Sequence, residues 1–243
     1  MIDTHAHLDL CDDPAAAVER ARTAGVTRIL TVGTNPDSWP DALDLAAEHE
    51  GVYAILGVHP HDAAGGVEGL AALLADERVV GVGETGLDFY RDYAPRDAQR
   101  AAFAAQLELA ADVGKPVVIH TRAADDDVAA ALDGFGGTVV LHCFSSPRLL
   151  PPALERGYYV SFAGNVTYPN ATELRLAATQ VPADRILAET DTPYLAPQAQ
   201  RGRRNEPAYV VHTLAALAAA RGEEPEELER RIEANAEAAF GLP

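Results

Sequence analysis

The chain is poor in lysine, with only Lys115 among its 19 basic residues, and it carries two cysteines, one methionine and one tryptophan in 243 residues. Two cysteines, Cys11 and Cys143, are too few for a disulfide framework or a four-thiolate zinc cluster, so reducing surroundings suffice. No run of about 18 apolar residues occurs, and no charged N-terminal segment leads into an apolar stretch. Neither a membrane span nor a signal peptide is therefore expected, and the reading is cytoplasmic. Positive charge is also short: the formal net charge is -18, which argues against non-specific capture of duplex nucleic acid through Lys and Arg. A polyanionic substrate is still admissible if divalent cations supply positive charge locally.

What the chain does have is a regular alternation of short apolar runs with longer alanine-rich helical patterns, the signature of repeated βα units around a parallel sheet. The runs predict eight strands: Ile2 to His5, Arg28 to Val32, Tyr53 to Gly57, Val79 to Glu84, Val117 to His120, Thr138 to His142, Tyr158 to Phe162 and Ile186 to Glu189. Consecutive apolar residues such as Val117-Val118-Ile119 suit strands buried on both faces. Helices are predicted at Asp13 to Ala24, Ser38 to Glu50, Asp97 to Val113, Asp125 to Leu132 and Pro147 to Arg156, with another opening at Glu206-Pro207 and a last one from Pro225 to Phe240. Gly25, Gly51, Gly114 and Gly157 follow helical runs where a left-handed terminus is expected. Eight such units in about 250 residues predict a (β/α)8 TIM barrel of α/β class, one domain over residues 1–243.

Six metal-capable residues fall at the C-terminal ends of these strands, the rim where barrels of this kind place their chemistry: His5, His7, Glu84, His120, His142 and Asp191. His5 and His7 are two apart, so strand alternation turns both side chains the same way. Any one of these histidines alone would suit a hydrogen-bonded pocket residue. Six imidazoles and carboxylates converging on one rim would be costly to bury unless cations satisfied them. Imidazole and carboxylate without thiolate suit Mg, Mn or Zn. Two divalent cations are expected, one on His5, His7, Glu84 and Asp191, the other on Glu84, His120 and His142, with Glu84 as the bridge. Some barrels with an H-x-H pair use a carbamylated lysine as the bridge, but Lys115 precedes the fifth strand and belongs to the opposite rim. Cys143 follows His142 and is expected to face away from the site as a small buried side chain.

These residues occur in seven ordered motifs that resemble the TatD family of metal-dependent deoxyribonucleases, within the amidohydrolase-like barrels. The motifs are Asp3-Thr4-His5-Ala6-His7-Leu8-Asp9, Gly57-Val58-His59-Pro60-His61, Gly83-Glu84-Thr85-Gly86-Leu87-Asp88-Phe89, Pro116-Val117-Val118-Ile119-His120-Thr121-Arg122, His142-Cys143-Phe144-Ser145, Glu189-Thr190-Asp191-Thr192-Pro193-Tyr194-Leu195 and Arg204-Asn205-Glu206-Pro207. The resemblance covers nearly the whole chain. It implies a divalent-metal-dependent nuclease cleaving phosphodiester bonds in DNA, as a 3′ to 5′ exonuclease on single-stranded ends, and it carries over the same six ligands. Two departures are visible. Thr85 stands where an apolar residue is usual, and Ser146 stands where glycine commonly follows Cys-Phe-Ser, which bears on the loop after the sixth strand because serine resists backbone angles that glycine accepts.

Around the ligands, His59 and His61 are candidates for substrate contact or for shaping a rigid His-Pro-His turn. Arg122 offers a fork to a phosphate oxygen, or an ion pair to Asp125 or Asp126. Asp88 is read either as the support of a ligand histidine or as a turn residue. Arg201, Arg203 and Arg204 form the one dense basic cluster, and Arg204 is the candidate phosphate contact. Asn205 and Glu206 are expected to cap the following helix, and Trp39 to pack or to start a helix at the surface. Asp191, beyond the eighth strand, is expected to be both ligand and general base, with Glu84 as its catalytic partner. Two other activities stay open. A binuclear barrel site also suits an amide, lactone or aminoacyl ester, and a metal-dependent nucleic-acid binder without catalysis is the third reading. DNA is the expected partner, with no membrane and no obligate protein partner.

Overall fold

The computed structural model describes residues 1–243, and its eight strands form one parallel sheet in sequence order. They are β1 (Ile2–Ala6), β2 (Arg28–Gly33), β3 (Val52–Leu56), β4 (Val79–Asp88), β5 (Val117–Arg122), β6 (Val139–Leu141), β7 (Tyr159–Phe162) and β8 (Ile186–Ala188). Every neighbouring pair is parallel, as βα repeats require. Closure between the last strand and the first uses the segment just past β8: the Asp191 amide donates to the His5 carbonyl at 2.9 Å, and the His7 amide to the Thr192 carbonyl at 2.8 Å. The seam that shuts the barrel therefore also sets His5, His7 and Asp191 side by side.

Outside the sheet run α1 (Pro14–Thr23), α2 (Trp39–Glu48), α3 (Leu70–Leu73), α4 (Arg96–Val113), α5 (Asp125–Ala131), α6 (Leu150–Glu155), α7 (Thr172–Gln180), α8 (Val210–Arg221) and α9 (Pro225–Phe240). The Asp13 carboxylate caps α1 by accepting from the Ala16 amide at 2.9 Å, with Pro14 in the first turn. The four glycines expected to end helical runs all have positive φ: 88° at Gly25, 78° at Gly51, 69° at Gly114 and 68° at Gly157. The helix expected over Pro147 to Arg156 is a 3-10 turn, Pro147–Leu149, followed by α6. Two helices were not among those predicted. The first is α3, four residues long, and the second is α7, which buries only Ala177 and Ala178 and so has a weak apolar stripe. Strand interiors are apolar on both faces, with Ile29, Leu30, Val117, Val118, Val139, Val140 and Ile186 at 2% exposure or less.

Two strands depart from expectation in ways that bear on the site. β4 was expected to stop at Glu84 but runs on to Asp88. Its register against β5 jumps there, Gly83 pairing with Val118 and Thr85 with Ile119, so Glu84 is the extra residue of a bulge. A bulge re-aims a side chain, and this one turns Glu84 to the centre of the rim. The backbone around it is too crowded for side chains: a Cβ on Gly57 would sit 2.5 Å from the Gly83 carbonyl carbon, and one on Gly83, at φ 152°, would sit 2.7 Å from the Val118 oxygen. β1 has a similar register jump between Asp3 and Ala6, around His5.

Candidate metal centre

Glu84 is 3% exposed and its two oxygens face different groups of imidazoles. Oε1 lies 2.7 Å from His120 Nδ1, 2.8 Å from His142 Nε2 and 3.4 Å from His59 Nε2. Oε2 lies 3.4 Å from His5 Nε2 and 3.7 Å from His7 Nε2, and His7 Nε2 is also 3.5 Å from Asp191 Oδ1. Five of the six residues picked out at strand ends thus meet at this carboxylate and Asp191 joins through His7, while the donor atoms close enough to share one ion fall into three groups: His5, His7 and Glu84; His5, His142 and Glu189; and His59, Glu84 and His120. Asp191 holds its place with φ 59°, an angle uncommon for a residue with a side chain.

Partners on the far side of each ring decide what that ring can do. His142 stands between two carboxylates, Nδ1 3.1 Å from Glu189 Oε1 and Nε2 2.8 Å from Glu84 Oε1, so each nitrogen donates to a carboxylate and Nε2 is the atom a cation would take over. His120 shows Nδ1 to Glu84 and has Asp88 Oδ2 behind it, 3.5 Å from Nε2. Each ring is thus backed by a carboxylate on the side away from Glu84. His59 differs. Its Nδ1 accepts the His61 backbone N–H at 3.1 Å, which leaves the proton on Nε2 and makes His59 a hydrogen-bond donor toward the site. His61 is held by Asp88 Oδ2 at 2.8 Å. His5 is fully buried with no hydrogen-bond partner on either ring nitrogen, and Glu189 Oε2 and His120 Nε2 are unpartnered too. Buried lone pairs and N–H groups are rarely left idle. A cation would satisfy the His5 and Glu189 atoms, which lie within ligand reach of one another and of His142, while His120 Nε2 has Asp88 beside it, so the residues present fit the metal the motif set implies.

Electrostatics follows the same plan. Burial opposes ionisation of Glu84, but His142, His59 and His120 overcome it and hold its carboxyl well below the usual range. Burial likewise works to keep His142 neutral, and Glu84 and Glu189 push its pKa well above the ordinary imidazole value. His120 is raised against burial by Asp88 and Glu84, and His7 against burial by Asp191 and Glu84. His5 and His59 go the other way, lowered first by burial and, for His5, by the neighbouring His142. Asp88, opposed by burial, is lowered by His120, His61 and the Arg91 and Tyr90 amides.

A family model described as TatD related DNase matches residues 2–241. This chain belongs to the TatD family. It is a metal-dependent hydrolase, and its relatives match over nine-tenths or more of their lengths. The uncharacterized metal-dependent hydrolase TatD of Mycobacterium tuberculosis is 39% identical over 259 residues, covering 100% of this chain and 98% of its own. The 3'-5' ssDNA/RNA exonuclease TatD of Klebsiella pneumoniae is 39% identical over 243 residues, covering 95% and 92%. Among solved structures, YJJV, a TatD homolog from Escherichia coli, superposes with a TM-score of 0.92 at 30% identity, covering 100% of this chain and 98% of that one.

Several TatD-chain residues behave differently from expectation. Glu189 was not among the candidate ligands, although Glu189 and Asp191 repeat the two-residue spacing of His5 and His7. It is fully buried and, besides His142, accepts the Cys143 amide at 2.8 Å. Cys143 does not face away on a strand: β6 ends at Leu141, and Cys143 sits in the following turn at φ 44°, half-buried. Ser146 has φ -114°, so no glycine angle is needed there. Thr85 is buried and accepts from Gln106 Nε2 at 2.7 Å, a glutamine of α4 that also pairs with both backbone groups of Val58. Arg122 does not pair with Asp125 or Asp126 but lies 4.1 Å over the Tyr90 ring. Arg204 pairs with Asp12 at 3.2 Å and donates to the Leu10 carbonyl at 2.6 Å. Asn205 and Glu206 do not cap a helix with their side chains. Asn205 Nδ2 donates to the Thr190 and Tyr194 carbonyls, and Glu206 pairs with Arg20 at 2.6 Å. Trp39 packs in the core, its Nε1 donating to the Gly57 carbonyl at 2.8 Å. Lys115 donates to the Asp76 and Val79 carbonyls at the start of β4, at the rim away from the site. No helix is long and apolar enough to cross a membrane.

Proposed function

We propose that this TatD-family hydrolase cleaves phosphodiester bonds of DNA, removing nucleotides from the 3′ end of single strands with two divalent cations. The observation that supports this most is the split of Glu84, with His120 and His142 at one oxygen and His5 and His7 at the other, and Asp191 reaching His7. Magnesium, manganese or zinc bound there supplies activated water and balances charge on the phosphate oxygens. His5, His7, Glu84 and Asp191 would hold one cation and Glu84, His120 and His142 the other. Glu189 and Asp88 keep His142 and His120 in the ligand orientation.

Asp191 accepts the proton of the attacking water, since its carboxylate stands at the mouth on the His7 side. His59 donates Nε2–H to a phosphate or leaving oxygen, the role left to it once Nδ1 is engaged by the His61 amide. The names of the Klebsiella pneumoniae and Citrobacter rodentium relatives, 3'-5' ssDNA/RNA exonuclease, support polarity and strand preference.

The test joins metal analysis to digestion of an oligonucleotide labelled at a defined end. Two equivalents of metal and stepwise release of mononucleotides from the 3′ end are expected. Asp191→Asn should lower kcat by about 10² to 10⁴ with the fold intact. A variant within a few-fold of wild type removes Asp191 as the base, and cleavage of ester or amide substrates alone replaces the nuclease reading.

A further inference from the structure

A strand that is to be trimmed must be held, and most of the cations expected to hold it are engaged by other groups. Arg204 is paired with Asp12, Arg201 lies 4.5 Å over Tyr168 and donates to its hydroxyl at 2.9 Å, and Arg122 covers Tyr90. With a net charge of -18, the surface offers little long-range pull on a polyanion.

Aromatic surface, by contrast, is concentrated at the mouth. The large apolar side chains most open to water include Tyr90, Tyr93 and Tyr194, at 65%, 66% and 54% exposure. Tyr93 meets the His61 ring edge-on at 4.7 Å, and Tyr194 meets His7 edge-on at 6.0 Å. His61 is tied to Asp88 behind His120, on the side of Glu84 Oε1. His7 faces Oε2 and Asp191. One exposed ring therefore stands beside each group of donors, and Tyr90 under the Arg122 guanidinium adjoins the first.

We propose that Tyr93 and Tyr194 are base-stacking faces that hold the nucleotides on either side of the scissile phosphate. The inference rests on the phosphodiesterase reading and adds to it how the strand is gripped. Each ring packs at a steep angle against a histidine of the site and keeps more than half of its surface open to solvent. Every nucleobase has a complementary π face, so stacking holds a single strand without reading its sequence and without positive charge. A paired duplex buries those faces against its own neighbours, which makes such a grip selective for unpaired ends.

The test compares oligonucleotides ending in a normal 3′ nucleotide with ones carrying an abasic tetrahydrofuran residue at the terminal or the penultimate position. Cleavage is followed directly, and binding is followed by fluorescence anisotropy with phosphorothioate-linked versions. Wild type should favour the base-bearing end about tenfold in both measurements. Tyr93→Leu should bring that preference to within about twofold at one position and Tyr194→Leu at the other, while Tyr93→Phe and Tyr194→Phe keep it. A wild type indifferent to the missing base, or Leu and Phe variants that behave alike, overturns the stacking faces and leaves the phosphodiesterase standing. If the metal-loaded wild type cleaves none of these oligonucleotides, both readings fall.

Discussion

The two rims of the barrel handle buried polar groups in opposite ways. At the rim where the strands begin, the one lysine satisfies carbonyls: Lys115 Nζ donates to Asp76 and Val79, and Arg78 pairs with Asp76 beside it. At the rim where the strands end, four of the eight buried side-chain atoms with no hydrogen-bond partner belong to the site, both His5 nitrogens, His120 Nε2 and Glu189 Oε2. The rim where the strands begin leaves only His49 Nε2 and the Tyr158 hydroxyl unpartnered, and the concentration of unmet coordination capacity at the other marks the rim built to receive something. The comparison also shows why chemistry collects at one end only. Satisfying a lysine with carbonyls needs nothing but chain, whereas several inward carboxylates and imidazoles at one point need a cation.

The largest effect that would sharpen this contrast is expected at Glu189. Glu189→Gln keeps the volume but weakens the hold on His142 Nδ1, and metal affinity should fall about 10- to 100-fold in a competition titration with a chelating dye. Unchanged affinity would reduce Glu189 to a space-filler.

Next comes pH. His142 and His120 have pKa values raised above the ordinary imidazole value, so the stability their carboxylate pairs give the chelated protein is full below the unfolded value and is lost as pH rises through the folded one. The same protons compete with cations for the ring nitrogens. The gap in Tm between metal-loaded and chelated protein should therefore widen from pH 6 to pH 9, by roughly 3 to 5 °C for each tenfold gain in affinity. A gap that is constant or narrows with pH would show that these imidazoles are not what the metal displaces protons from.

The smallest effect belongs to the other rim. Lys115→Met should cost about 1 kcal/mol, or roughly 2 to 4 °C in Tm, and leave metal stoichiometry at its wild-type value. Loss of metal in that variant would mean that the two rims are not independent.

Much of this was legible before folding because the chemistry repeats with the fold. Strand after strand ends in a histidine or a carboxylate, and the βα alternation alone says that those ends share a rim. The misses were of another kind. Glu189 looked like the last residue of a strand, and only its distance to His142 shows which histidine it supports. Cys143 was misplaced because strand alternation was carried past Leu141, where the backbone has already turned to positive φ. Arg122 and Arg204 found Tyr90 and Asp12, partners far enough along the chain that no local pattern announces them.

Hydrophobic period and punctuation, both local properties of the chain, are enough to specify an eightfold βα barrel and to put six donors on one edge of it. Which oxygen of Glu84 meets which histidine was decided by the bulge in β4 and by the seam between β1 and the segment after β8. The tautomer of His59 was likewise decided in three dimensions, by a backbone N–H two residues along the chain that only the folded turn brings onto Nδ1. Those outcomes depend on register and on hydrogen bonds that exist only after distant segments have met, and composition carries no record of either.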